Sequence, residues 1–232
     1  MKIGIFSDIH GNNYAFQKVI ERLKKESCDA YIFAGDICGY YYGQNEVIGI
    51  LKSMKNVYGV MGNHDRIFID MIDNNADNDL YEERYVKSNM ILRPNIKKEN
   101  IEYLRDLPLK CEIKNIGIFV CHGSPFDLLE DHVYPDSLLT RFATLKYKYI
   151  ILGHTHYPMD RNMGNVRIIN PGSAGQPRDY SIPSCAILET ETSSLEYFRI
   201  DYDKRPLINE IERHKEKNGY LIEILKRKKH EK

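Results

Sequence analysis

"KIGIFSDIHGNNYAFQKVIERLKK", residues 2–25, decides how the chain folds. Its apolar run, Ile3, Ile5 and Phe6, has the length of a short strand. Beyond a polar break, Phe16, Val19, Ile20 and Leu23 recur at the spacing of one helix face. Asn12 or Asn13 stands where a helix N-cap belongs. The unit is a strand, a loop carrying Asp8 and His10, and a helix. "AYIFAGD" (30–36), "NEVIGILKSM" (45–54) and "VYGVMGNHD" (57–65) continue it as strand, helix and strand. Such alternation implies parallel β-α-β winding with helices packed on a sheet.

Further strands are expected at "IGIFVCH" (116–122), "KYIILGH" (148–154) and "VRIINPGS" (166–173). "SCAILET" (184–190) and "SLEYFRID" (194–201) resemble a hairpin at an antiparallel edge. Between them, residues 66–110 are polar and helical, with "KKENIEYLRDLP" (97–108) stopped by Pro108, and are expected to form a small cap. From Pro206 to Lys229 the chain reads as one helix, or two broken at Gly219, within a C-terminal extension over 204–232. Taken alone, the pattern is that of one doubly wound sheet. The 232 residues fit a single domain, since one core grows to about 250 residues before chains divide.

Lys plus Arg and Asp plus Glu each total 33, so the overall charge draws the chain neither to nucleic acid nor to a membrane surface. The basic tail "KRKKHEK" (226–232) is read as cations complementing a helix C-terminus rather than as a nucleic-acid contact. No run of about 18 apolar residues occurs, and the N-terminal apolar run is too short for a signal segment. Five cysteines, odd in number and without a C-x-x-C pair, read as reduced thiols, and a cytoplasmic protein is expected. A homo-oligomer is left open.

Ligands of open parallel sheets sit beyond the carboxyl ends of the strands. There this sequence places Asp8 and His10, Asp36, Asn63, His64 and Asp65, His122, and finally His154 and His156. Each has an ordinary reading on its own: a helix cap, an Asx turn, a buried histidine, a polar loop tip. Five of the eight histidines at strand ends, with only carboxylate, imidazole and amide partners, point instead to a divalent first-row metal.

These blocks in this order, "DIH" (8–10), "GD" (35–36), "GNHD" (62–65), His122 and "GHTH" (153–156), resemble the calcineurin-like metallophosphoesterases. The resemblance implies an α/β (α+β) fold, a four-layer β-sandwich flanked by helices. It implies two divalent cations, manganese first, with iron, nickel or zinc as alternatives. Asp8, His10 and His156 would hold one cation and Asn63, His122 and His154 the other, with Asp36 bridging. His64 would be the catalytic histidine. The activity implied is hydrolysis of a phosphodiester or nucleotide-type substrate, by in-line attack of a metal-bridging hydroxide. The protein phosphatase branch carries an aspartate and an arginine where this chain has Gly39 and Tyr40. "GDICGYYYGQNEVI" (35–48) and "NPGSAGQPRD" (170–179) are instead similar to a small bacterial and archaeal branch described as phosphodiesterases or diadenosine tetraphosphatase-like. In that branch Arg178 would contact substrate phosphate or else tie down a neighbouring loop, and Tyr40 would stack on a base or aryl group. The alternatives are a phosphomonoesterase or protein phosphatase, and a non-catalytic metal-binding scaffold.

Overall fold

The computed structural model describes residues 1–73, 87–215 and 219–228. Strands β1 (Lys2–Phe6), β2 (Ala30–Phe33) and β3 (Val57–Gly59) run parallel, joined by helices α1 (Asn13–Lys25) and α2 (Gln44–Ser53). Asn12 caps α1, its side chain accepting from Ala15 N at 3.1 Å. The hairpin of β9 (Ser184–Glu189) and β10 (Ser194–Arg199) adds to β1 antiparallel, giving the order β10-β9-β1-β2-β3.

A second sheet has the order β4-β5-β6-β8-β7, from β4 (Lys110–Ile113), β5 (Ile118–Cys121), β6 (Tyr149–Ile151), β7 (Pro158–Met163) and β8 (Val166–Pro171). Here β5, β6 and β8 are parallel, with β4 and β7 antiparallel at the edges. The fold is therefore a mixed α/β sandwich of two sheets, not the single sheet that the winding alone suggests.

Strand alternation holds the layers together. Ile3, Ile5 and Ile32 of the first sheet meet Ile118, Val120, Tyr149, Ile151 and Ile169 of the second in one buried cluster. Their neighbours face outward: Phe6, Tyr31 and Phe33 pack under the helices with Phe16, Val19 and Leu23. Phe119, Ile150 and Ile168 are covered by the 126–145 segment through Val133, Leu139 and Phe142, the last on a single 3₁₀ turn (Thr140–Thr144).

Of residues 66–110, 74–86 lie outside the described residues. Helix α3 (Asn63–Ile72), the short α4 (Ser88–Leu92) and α5 (Lys98–Arg105) put Phe68, Leu92 and Leu104 into the cluster under the first sheet. The C-terminal segment forms two helices, α6 (Arg205–Arg213) and α7 (Tyr220–Lys226). Leu207, Ile211, Leu221 and Leu225 pack on Ala15 and Tyr41. Among the described residues no helix is long and apolar enough to cross a membrane.

Candidate metal centre

The carboxyl ends of β1, β2 and β3 and of β5, β6 and β8 meet at one edge of the sandwich, where the loops bind each other. Asp8 N donates to Gly35 O (2.9 Å), Gly153 N to His122 O (2.9 Å) and Ala174 N to Ser7 O (2.8 Å). Ser173 Oγ donates to Asp8 O at 2.6 Å and Asn170 Nδ2 to Gly153 O at 2.6 Å, so "NPGS" straps the two sheets together. Gly153 is required for closeness rather than for a turn: a Cβ there would lie 2.2 Å from Ser7 Oγ and 2.7 Å from Ala34 O. The turn is made by the next residue. Asp8, His10, Asp36, Tyr40, His154 and His156 all have left-handed backbone, with φ between 50° and 68°. Each departs from what an L-residue prefers, at a cost of about 1–2 kcal/mol.

Asp8, His10, Asp36 and His156 are buried, with ligand atoms all within 4.8 Å of one another. His10 Nε2 lies 3.1 Å from His156 Nε2 and 3.6 Å from Asp36 Oδ2, and His156 Nε2 lies 3.4 Å from Asp8 Oδ1. Beside them His122 Nε2 lies 3.2 Å from Asp36 Oδ2, 3.1 Å from Asn63 Oδ1 and 3.2 Å from His154 Nδ1. Asp36 thus borders both groups.

Tautomers decide what these contacts mean. His10 Nδ1 bonds to Cys38 O (2.7 Å), His156 Nδ1 to Gln176 O (2.5 Å) and His122 Nδ1 to Ala34 O (2.8 Å). A carbonyl only accepts, so each Nδ1 carries the hydrogen and a neutral ring offers a bare lone pair at Nε2. Burial pulls His10 down to about 3 and His156 well below its usual range, so both are neutral. Two lone pairs 3.1 Å apart have nothing to share unless a cation lies between them and the carboxylates. Asp8 Oδ2 and Asp36 Oδ2 are likewise buried without a hydrogen-bond partner. The donor set fits a divalent cation.

The remaining electrostatics follow from two carboxylates buried together. Burial pushes Asp8 up to about 7. Burial opposes the charge on Asp36 as well, but His122 and then His64 hold it well below the usual carboxylate range. His122, though buried, is raised by Asp36 to about 10. Burial and His122 pull His154 down to about 3.

His64 opens α3, with its backbone N donating to Asp36 Oδ1 at 2.9 Å. Its ring is 5.0 Å from that of His10 and 5.1 Å from that of Tyr40. Of the three consecutive tyrosines, Tyr40 faces the histidines, Tyr41 is buried in the C-terminal cluster and Tyr42 packs on His214. Arg178 Nη2 donates to the Tyr40 hydroxyl at 3.4 Å.

Two residues beyond the candidate set take part. Asp65 accepts from four backbone N–H groups: Ile37 and Cys38 (2.9 and 2.8 Å), Asp36 (3.1 Å) and Gly62 (3.0 Å). It fixes the two loops that present Asp36 and Asn63. Burial and then Asp36 push its carboxyl up to about 6 against the pull of those donors. His132 brings Nδ1 to 3.3 Å from His154 Nε2, their rings 4.0 Å apart. Asp65 was visible in "GNHD" but overshadowed by His64. His132 lies in a loop whose sequence has no periodicity to place it.

A family model for the calcineurin-like phosphoesterase superfamily domain matches residues 1–193. A phosphodiesterase of Methanocaldococcus jannaschii is 26% identical over 192 residues, covering 82% of this chain and 94% of its own. An uncharacterized protein of the same organism is 28% identical over 222 residues, 87% of this chain and 88% of its own. Among solved structures, a hypothetical protein from Pyrococcus horikoshii superposes with a TM-score of 0.82 at 25% identity over 97% of both chains. A metallophosphoesterase from Sphaerobacter thermophilus has the same fold, with a TM-score of 0.81 at 24% identity over 97% of this chain and 99% of its own.

Proposed function

We propose, since the chain belongs to the calcineurin-like phosphoesterase superfamily, that it hydrolyses phosphodiesters or nucleotide-type esters at a centre of two divalent cations. The observation that carries this reading is the pair of bare lone pairs at His10 and His156, set against the unpartnered oxygens of Asp8 and Asp36. Asp8, His10 and His156 would hold one cation and Asn63, His122 and His154 the other, with Asp36 shared between them. Such cations supply charge to the phosphoryl oxygens and make a water acidic enough to ionise near neutral pH. Manganese is the first metal to test, although oxygen and imidazole donors accept iron, nickel or zinc as well.

The side chains around the cluster do the rest. His64, at the rim beside His10 and Tyr40, holds the proton that the leaving oxygen takes. Burial lowers its basicity, which eases transfer of that proton to the leaving oxygen. Arg178 faces the equatorial oxygens, oriented by the Tyr40 hydroxyl. A protein phosphatase arrangement is less well supported: Gly39 stands where that branch carries an aspartate, and a Cβ there would lie 2.7 Å from His64 Nδ1 and 3.1 Å from His10 Nδ1, so the rings would have to shift to admit one. Five unpaired cysteines support a cytoplasmic location.

Purified protein given Mn²⁺ is expected to hydrolyse bis-p-nitrophenyl phosphate and to stop when EDTA is added. In His64→Ala, kcat is expected to fall by about 10²- to 10⁴-fold with metal content unchanged by elemental analysis. A metal-loaded wild-type protein inert toward monoesters and diesters alike would leave the scaffold as the better reading.

A further inference from the structure

Beside the metal centre the described residues line an open cleft of about 1170 Å³, with Tyr134, Tyr157, Tyr180, Tyr220, Arg178 and Arg227 among its walls. This exceeds the roughly 300–1,000 Å³ of ordinary small-ligand sites, so it has room for much more than a phosphate. Two chains of ring contacts join it to the cluster. On one side Tyr220 is 6.4 Å from Tyr40, whose ring is 4.7 Å from His10. On the other, Tyr157 is 6.1 Å from Tyr134, Tyr134 is 5.9 Å from His132, and His132 is 4.0 Å from His154.

The charges in the wall are uneven. Arg199 is neutralised by Asp179. Arg178 and Arg227 are in no ion pair among the described residues, and Arg178 Nε is buried without a hydrogen-bond partner. Arg227 Nη1 donates to Arg178 O at 2.5 Å, so the end of α7 fixes the backbone of the residue nearest the cluster. With Asp136 on the rim, three arginines stand against two aspartates. Tyrosine faces with unneutralised guanidinium groups suit a ligand that is flat and aromatic at one end and anionic at the other. Tyr220 and Arg227 lie beyond residue 193, where the family match ends.

We propose that this cleft is a subsite for a nucleoside phosphate unit of the substrate, with its base among the tyrosines and its phosphate on Arg178 and Arg227. Helix α7 is thus the element that selects nucleotides. The inference rests on the phosphoesterase reading above for what the neighbouring cluster does.

Binding is measured by isothermal titration on Mn²⁺-loaded protein with the 5′-methylenephosphonate analogue of AMP, which cannot be hydrolysed, and with the matching analogue of ribose 5-phosphate, which lacks the base. The AMP analogue is expected to bind about 5- to 150-fold more tightly, as one stacked base contributes about 1–3 kcal/mol. Tyr220→Ala is expected to remove most of that ratio. Arg227→Gln is expected to weaken both ligands and keep the ratio. Equal affinity for the two ligands in wild-type protein overturns the subsite whatever the variants do. A ratio unchanged in a Tyr220→Ala protein that melts like wild type overturns the role of α7, and if that variant fails to fold, Tyr220→Leu is held to the same criterion. Turnover of bis-p-nitrophenyl phosphate with no preference for the base sinks the subsite and leaves the phosphoesterase standing. Base-dependent binding to a protein inert on every ester does the reverse.

Discussion

Asp36→Asn is expected to bind less than one metal ion per chain and to lose at least about 10³-fold in kcat on bis-p-nitrophenyl phosphate. Asp36 borders both groups of candidate ligands, its Oδ2 3.6 Å from His10 Nε2 and 3.2 Å from His122 Nε2. Two cations in adjacent sites repel, and the shared anionic charge offsets that repulsion. Asparagine keeps the shape and an acceptor oxygen for His64 N but removes the charge, so it separates electrostatics from packing. The flanking histidines should behave differently. His154→Ala and His156→Ala each damage one site, and both proteins are expected to retain about one ion. Inductively coupled plasma measurements on reconstituted protein decide the matter. An Asp36→Asn protein with two ions and full turnover would remove Asp36 from the bridging position.

Asp65→Ala carries the largest expected effect on folding. Its carboxylate, buried at 0% exposure, is the common acceptor of four backbone donors in two loops. Hydrogen bonds to a charged group contribute about 1.5–3 kcal/mol each, and truncation would strand all four N–H groups. A loss of about 4 kcal/mol or more follows, near the top of what single substitutions do. Asp65→Asn retains one acceptor oxygen but turns an NH₂ toward donors, and should cost about half as much. Urea unfolding at pH 8, where the carboxyl is ionised in the native protein, tests the order. A midpoint for Asp65→Ala within error of wild type would mean the loops are held by other contacts.

What could be read from the residues divides along physical lines. The candidate ligands stood out because a parallel strand must end somewhere polar, and because carboxylates, imidazoles and an amide at every such end exceed what capping needs. The two-sheet sandwich followed from the family resemblance and not from the strand pattern itself. Strands buried on both faces, such as Ile3–Phe6 and Tyr149–Ile151, are apolar throughout whether a helix layer or a second sheet covers them. The edge strands β4 and β7 escaped notice because half their residues face solvent, as in "KCEI" and "PMDRNM". Tyr134 and Tyr220 reach the cleft from an irregular loop and a C-terminal helix, and nothing local marks either tyrosine as facing a ligand.

The left-handed backbone at Asp8, His10, Asp36, His154 and His156 has a consequence for how such a site would age. At each of these positions folding alone would favour glycine or asparagine, so on the proposed reading the candidate ligands are kept by chemistry against the preference of the backbone. His156→Gly should therefore be more stable than His156→Ala, by about 1 kcal/mol in denaturant unfolding, the reverse of the usual order; equal stabilities would show that the loop relaxes. A lineage released from any need for metal would gain stability by discarding its ligands. Decay of the site would be quick, and it would leave glycines where the histidines had been.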